Sequence, residues 1–246
     1  MIIFRLVLPL MIYDLVTFIL FQFLPTGCSI LLVTGIGALI SSFPLYLLYT
    51  GDQKKRNFPA GIPTAVIRNI PYLILFAFAA CVAVNNLILL SPYPGLFPHF
   101  QESVKSELYS PALAEQLLCT VLFIPAAEEL CFRAHIYALL RDRFTFWTAA
   151  LFSATAFGMF HGNAVQGLYG FLLGILLAWI YERFHSFWAA YLFHMAANFL
   201  SVLLTNTGWM DPATDPVAVT VTLTGVALCV LILTGVLISL RTRREN

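Results

Sequence analysis

A polar cluster interrupts an apolar stretch of the sequence at IPAAEELCFRAHIY, residues 124–137. The cluster contains two adjacent glutamates, an arginine and a histidine: Glu128, Glu129, Arg133 and His135. If the stretch crosses a membrane, each charged side chain near its centre costs roughly 2.5–3.5 kcal/mol. Such groups must therefore pair with one another or face a wet cavity, which makes the cluster a candidate functional site.

Helical spacing divides the cluster into a pair and a remainder. Glu129 and Arg133 are four residues apart, so they lie on one helix face and can form an ion pair. Glu128 points about 100° away from Glu129 and has no cation on its own face. It shares that face with His135, seven residues later, which can tune the carboxyl group or simply join two helices. We interpret Glu129–Arg133 as a structural pair and Glu128 as the group available for chemistry.

Two later apolar stretches carry isolated polar side chains. FGMFHGN contains His161, and YLFHMAANFLS contains His194 and Asn198 four residues apart on a common helix face. Any one of these side chains, taken alone, is as often a structural hydrogen-bonding group between helices as a catalytic one. Together with Glu128 they form a set suited to activating water, because a carboxylate shielded from water is a competent general base. Imidazole and carboxamide groups can donate hydrogen bonds to a developing oxyanion.

The chain that must position these residues has the composition of a membrane protein. Of its 246 residues, 60% are hydrophobic and only 10% are charged, against about 25% charged in soluble domains. We predict an all-α, polytopic bundle of about eight transmembrane helices that forms a single membrane-embedded domain, 1–246. The predicted spans are 2–24, 29–50, 67–91, 111–140, 145–160, 165–181, 187–205 and 217–240.

An arrangement of eight spans separates the Lys and Arg residues clearly between the two sides of the membrane. Nearly all of them fall at or near the side that holds both termini: Arg5, Lys54, Lys55, Arg56, Arg68, Arg141, Arg143, Arg183, Arg241, Arg243 and Arg244. Lys105 falls on the other side, with Glu102, Glu107, Asp211 and Asp215. Because cytoplasmic loops are enriched in Lys and Arg, we predict that both termini are cytoplasmic. Short loops without a targeting extension favour an integral protein of a prokaryotic inner membrane.

Three motifs carry a resemblance to a known family. EExxxR at Glu128–Arg133, FxxxH at Phe157–His161 and HxxxN at His194–Asn198 occur in this order, each within an apolar span. The chain therefore resembles the CPBP family of intramembrane proteases, also called the Abi or CAAX-protease family. The motif-bearing core, 111–205, would be the catalytic core. One departure is Ala134, which follows Arg133 where family members commonly have glycine.

The resemblance implies a role for each matched residue. Glu128 would activate the attacking water with help from His161, and His194 and Asn198 would stabilise the oxyanion. Glu129 and Arg133 would support the site. Each of these six residues has the side chain that its proposed role requires.

The resemblance implies two possible mechanisms, one that requires a metal ion and one that does not. Members of the family were first described as metalloproteases, and a glutamate-based mechanism without an obligatory metal was argued later. Glu128, His161 and His194 could supply the three ligands of a zinc site with an open position, although HExxH is absent. We favour metal-independent chemistry and keep zinc as the alternative cofactor.

The leading hypothesis is an intramembrane endopeptidase whose partners are the lipid bilayer and a membrane protein or lipopeptide substrate. QKKR is too short a basic run to indicate nucleic acid. One alternative is a non-catalytic membrane protein, such as a bacteriocin self-immunity factor or a scaffold with the same fold. Another is a small transporter with a Glu/His proton relay, although the sequence shows no internal repeat of the kind that transporters often have.

Overall fold

Eight helices make up the bundle in the computed structural model, which describes residues 2–25, 27–97, 109–209 and 216–243. They are α1 (Ile2–Phe23), α2 (Ile30–Arg56), α3 (Thr64–Leu90), α4 (113–141), α5 (Phe146–Phe160), α6 (Ala164–Phe184), α7 (Phe187–Thr207) and α8 (Val217–Thr242). A short 3-10 turn, Tyr93–Leu96, follows α3. The described residues form no strand. The predicted all-α membrane bundle is therefore confirmed, and each predicted span coincides with one helix.

Six of the helices in the described part of the chain are long and apolar enough to cross a membrane: α1, α2, α3, α6, α7 and α8. The fifth helix is apolar but only 15 residues long. The fourth runs through the centre of the bundle, and every residue from 127 to 140 is buried. The helix with the most ionisable groups is thus also the best shielded from lipid.

The second helix is longer than predicted. We predicted that this span ends at residue 50, but the helix continues to Arg56 and is capped by Asn57, which adopts the left-handed conformation with φ 59°. Lys54, Lys55 and Arg56 occupy its last turn, where cations interact favourably with the helix dipole. These cations and the Asn57 cap outweigh the weak helix propensity of Gly51.

Ion pairs join the helices at one end of the bundle. Arg5 of α1 binds Asp52 of α2 at 3.1 Å, and Arg56 of α2 binds Asp142, just after α4, at 2.8 Å. Arg5 and Arg56, which the sequence assigned to one side, thus lie at one end of the fold. Which face of the membrane this end meets stays a prediction. Lys105, Glu102, Glu107, Asp211, Asp215 and Arg244 lie outside the described residues.

Glycines let α5 and α6 approach closely beside the polar cluster. A Cβ atom on Gly158 would lie 2.6 Å from the carbonyl oxygen of Gly167, and one on Gly170 would lie 3.0 Å from the His161 ring. A Cβ on Gly174 would lie 3.0 Å from the Cα of Ala154. Small residues permit such contacts between membrane helices. The glycines therefore act in packing, and Gly170 also leaves room for His161.

Candidate active site

The helix that carries the glutamates is irregular. Within α4 the hydrogen bonds widen to the π-helical pattern over Leu117–Phe123 and again over Leu130–Tyr137. A short α-helical segment, Ile124–Glu129, separates the two. Such π-helical turns occur frequently at functional sites. Glu128 and Glu129 therefore sit at a junction where the helix changes its rotation per residue.

The predicted ion pair within this helix is present. Arg133 Nη1 donates to Glu129 Oε1 at 3.0 Å, and neither side chain has any exposed surface. The guanidinium carbon lies 4.2 Å from the centroid of the Phe157 ring. Nε and Nη2 of Arg133 have no hydrogen-bond acceptor among the described residues. The face of the aromatic ring consequently supplies part of the stabilisation that a buried cation needs.

The ring of His194 lies between the two glutamates. Its Nδ1 is 2.8 Å from Glu129 Oε1, and its Nε2 is 3.7 Å from Glu128 Oε2. Because Glu129 Oε1 also accepts from Arg133, the carboxylate is the acceptor and Nδ1 is the donor. This contact fixes the orientation of the imidazole and turns Nε2 towards Glu128.

The second histidine approaches from the end of α5. Nδ1 of His161 is 2.9 Å from the carbonyl oxygen of Phe157. Since a carbonyl can only accept, Nδ1 is the donor and Nε2 is the nitrogen left for another partner. The ring is half-buried and is close enough to interact electrostatically with Glu128. His161 and His194 both stand edge-on to the Phe157 ring, with centroids 4.8 Å and 5.8 Å away.

The side chain of Asn198 forms a hydrogen bond with the backbone of α4. Its Nδ2 donates to the carbonyl oxygen of Thr120 at 2.8 Å. The amide of Ile124 donates to the carbonyl oxygen of Cys119, five residues earlier. In the same pattern, the amide of residue 125 would donate to the carbonyl oxygen of Thr120. That residue is Pro125, which has no N–H to donate. Asn198 therefore satisfies a carbonyl that the proline leaves without a partner, and its second amide hydrogen remains for other use.

Tyr191 makes a parallel contact one helical turn before His194. Its hydroxyl donates to the carbonyl oxygen of Leu122 at 3.0 Å. Tyr191, His194 and Asn198 thus form a polar ladder along one face of α7, and each of them bonds α4. The ladder fixes the position of α7 against the helix that carries Glu128.

We expect Asn198→Ala to lower the free energy of unfolding by about 1–3 kcal/mol, because it leaves the part-buried carbonyl of Thr120 unsatisfied. Pro125→Ala restores an amide donor at that place. The double variant should therefore recover much of the lost stability. Thermal unfolding of the full chain in detergent measures this double-mutant cycle. Additive losses in the double variant would contradict this account of the Thr120 carbonyl.

His135 departs from the sequence-based expectation. We predicted that it shares a face with Glu128, but it lines a separate cavity together with Arg5, Asp52 and Lys55. The physical reason is the π-helical stretch Leu130–Tyr137. Its i→i+5 hydrogen bonds lower the rotation per residue, so residues seven apart no longer align.

Two aromatic residues near the site had no role in our sequence analysis. Phe157 was noted only as a motif letter, yet its buried ring contacts Arg133 and both histidines. Tyr13 of α1 is 2% exposed and interacts electrostatically with Glu128. An aromatic residue in an apolar span gives no signal of its own, so only the tertiary contacts identify these two.

The zinc alternative depends on how the possible ligand side chains are arranged. Among the described residues, no group of three or more His, Cys, Asp or Glu side chains is arranged to hold a metal ion. His194 donates Nδ1–H to the Glu129 carboxylate and His161 donates Nδ1–H to the Phe157 carbonyl, so these bonds leave Nε2 free in both rings. Histidine ligands of a metal are commonly held in this way, so the choice between metal-independent and zinc-dependent chemistry stays a prediction.

Comparison with known proteins finds a family model that matches part of the chain. Residues 110–200 match the family described as Type II CAAX prenyl endopeptidase Rce1-like. The matched segment begins just before α4 and ends within α7, so it contains all three motifs. Neither a curated protein nor a solved structure matches the chain.

Proposed function

Since residues 110–200 match the model of the Rce1-like type II CAAX prenyl endopeptidase family, consistent with the CPBP resemblance, we propose that this chain is an intramembrane endopeptidase. Its substrate is a membrane-associated protein or peptide. The observation that carries the proposal is the position of the His194 ring, which contacts Glu129 at 2.8 Å and lies 3.7 Å from Glu128. A glutamate without a counter-ion on its own helix thus faces groups from other motifs.

The first step is the activation of water. Glu128 takes a proton from a water molecule, and Nε2 of His161 accepts a hydrogen bond from the same water. The water oxygen then attacks the carbonyl carbon of the scissile peptide bond. A general base of this kind contributes about 10²- to 10⁴-fold to the rate. The support for Glu128 as the base is that the Arg133 cation binds its neighbour Glu129 instead.

The second step stabilises the oxyanion that forms at the carbonyl oxygen. His194 donates Nδ1–H to Glu129, so Nε2 can donate to the oxyanion only when the ring carries both protons. An imidazolium at this position makes the cluster neutral, because His194 and Arg133 then balance Glu128 and Glu129. The second amide hydrogen of Asn198 supplies another donor. Positioned donors of this type are each worth about 10²- to 10³-fold in rate.

The last step breaks the peptide bond. The tetrahedral intermediate collapses, the C–N bond cleaves, and Glu128 passes its proton to the leaving nitrogen. The products are a carboxylic acid and an amine, and Glu128 returns to its ionised form. No step passes through a metal.

The test compares the termini of membrane proteins in cells that carry the wild type, Glu128→Gln or His161→Gln. We expect a set of new N-termini that requires both residues. Glu115→Gln is the matched control, because Glu115 lies on the same helix near its start, where it bonds Ser29. If no terminus depends on Glu128 and His161, the chain is a non-catalytic member, such as an immunity factor or scaffold.

A metal test separates the two mechanisms. Purified full-length chain acting on a substrate found by the terminal comparison should keep its rate in the presence of a zinc chelator. Loss of activity that returns when zinc is added would replace the glutamate-based mechanism with a zinc-dependent one. It would leave the assignment as a peptidase intact.

A further inference from the structure

A cavity lies at the end of the bundle that holds the ion pairs, between α1, α2 and α4. It has a volume of about 280 Å³, and its polar wall consists of Arg5, Asp52, Lys55 and His135. The groups proposed for hydrolysis are not part of its lining. Its chemistry is therefore independent of the proposed peptidase activity.

The charged wall of the cavity has a surplus of one positive charge. Arg5 Nη2 lies 3.1 Å from both carboxylate oxygens of Asp52, and Lys55 Nζ lies 2.8 Å from Asp52 Oδ1. One carboxylate thus faces two cations. The Arg5 and Lys55 side chains are 43% and 73% exposed, so both can reach a ligand. This balance favours an anion with a single negative charge.

His135 adds a hydrogen-bond acceptor. Its Nδ1 is 2.5 Å from the carbonyl oxygen of Leu130, and because a carbonyl only accepts, Nδ1 is the donor. In the neutral ring, Nε2 is then an acceptor. This nitrogen is buried and has no hydrogen-bond partner among the described residues, while the side chain is 7% exposed and lines the cavity. An unsatisfied buried polar atom is costly, so the site is suited to a hydroxyl donor.

The remaining wall is apolar and reaches the outer surface of the bundle. Leu47 and Leu48 line the cavity and are 54% and 39% exposed. They lie on α2, one of the helices that can cross a membrane. A cavity of this volume is smaller than a typical drug-sized site. It therefore fits a headgroup whose hydrocarbon chains continue along the leucines outside.

We propose that this cavity binds an anionic glycerophospholipid whose headgroup combines a singly charged phosphodiester with a hydroxyl group. Arg5 and Lys55 hold the phosphodiester, and Nε2 of His135 accepts a hydrogen bond from the headgroup hydroxyl. Phosphatidylglycerol has this chemistry. Basic pockets between membrane helices bind anionic headgroups in the same way.

The test titrates the purified full-length chain in detergent with phosphatidylglycerol and follows binding by native mass spectrometry. Lys55→Gln should weaken binding about fivefold, which is the value of one cation–lipid contact. Lys54→Gln is the matched control, because Lys54 is exposed on the same turn but does not line the cavity. It should change binding less than twofold. An equal loss in both variants would attribute the effect to general surface charge and overturn the site.

The role of His135 is tested with phosphatidylethanol, which has the same charge but no headgroup hydroxyl. The wild type should bind phosphatidylglycerol about fivefold more tightly than phosphatidylethanol, the value of one neutral hydrogen bond. His135→Phe should lose that preference. Equal binding of phosphatidylcholine and phosphatidylglycerol by the wild type would overturn the proposal. The proposal would also be overturned if the water-soluble deacylated headgroup bound as tightly as the intact lipid.

Discussion

Glu128→Gln is expected to lower the rate of peptide hydrolysis by on the order of 10³-fold, because glutamine cannot take a proton from water. The fold should survive, since glutamine has nearly the same shape and removes a buried charge. The Glu128 carboxylate is not part of the Glu129–Arg133 ion pair. The measurement is the turnover of a substrate identified in cells, together with the melting temperature of the same preparation.

The control for this prediction is Glu115→Gln, which makes the same chemical change on the same helix at its contact with Ser29. It should retain activity within a few fold. If Glu128→Gln kept more than a tenth of the wild-type rate, Glu128 would not be the general base. If its melting temperature fell steeply, the loss of activity would reflect unfolding.

Removing one partner of the Glu129–Arg133 pair should give the largest loss of stability. Both side chains are fully buried, so Arg133→Met leaves a carboxylate, and Glu129→Gln leaves a guanidinium, without its counter-ion. An uncompensated buried charge costs about 3–5 kcal/mol. We therefore expect either single substitution to lower the free energy of unfolding by about that amount, as measured by denaturant titration in detergent.

The double variant Glu129→Gln with Arg133→Met should be more stable than the sum of the two single losses predicts. It contains neither charge, and a neutral pair of similar volume avoids the desolvation cost. Additive losses would show that the two groups act separately. Activity should remain low in the double variant, because the His194 ring loses the carboxylate that orients it.

The long apolar runs were sufficient to predict the helices. The apolar runs and the polar segments between them identified eight segments that agree with the eight helices, although 145–160 and 165–181 are shorter than the about 20 residues of a typical span. The end of α2 was missed because Gly51 resembles a helix break, whereas the cations of the last turn and Asn57 carry the helix further. Helix ends depend on such capping interactions, which periodicity does not register.

Part of the candidate site follows from local spacing alone. Four residues of separation place Glu129 and Arg133 on one side of the helix in both the α-helical and the π-helical pattern, so local spacing predicted their contact correctly. The bond from His194 to Glu129 spans 65 residues of sequence, and no local rule relates the two. The prediction for His135 was wrong because it assumed α-helical rotation beyond Leu130. Pro125 was the available sign that α4 is irregular, since proline removes a backbone donor within a helix.

The polar ladder of α7 has a consequence for the energetics of turnover. Three side chains tie this helix to α4, through the Leu122 carbonyl, the Glu129 carboxylate and the Thr120 carbonyl. Sliding or rotating either helix would break these bonds, and a lost hydrogen bond is costly inside a membrane-embedded bundle. In the proposed reaction, the dipoles around Glu128 are consequently aligned before a substrate arrives. The reorganisation energy that solvent would demand in each cycle of that reaction is then supplied once, when the protein folds.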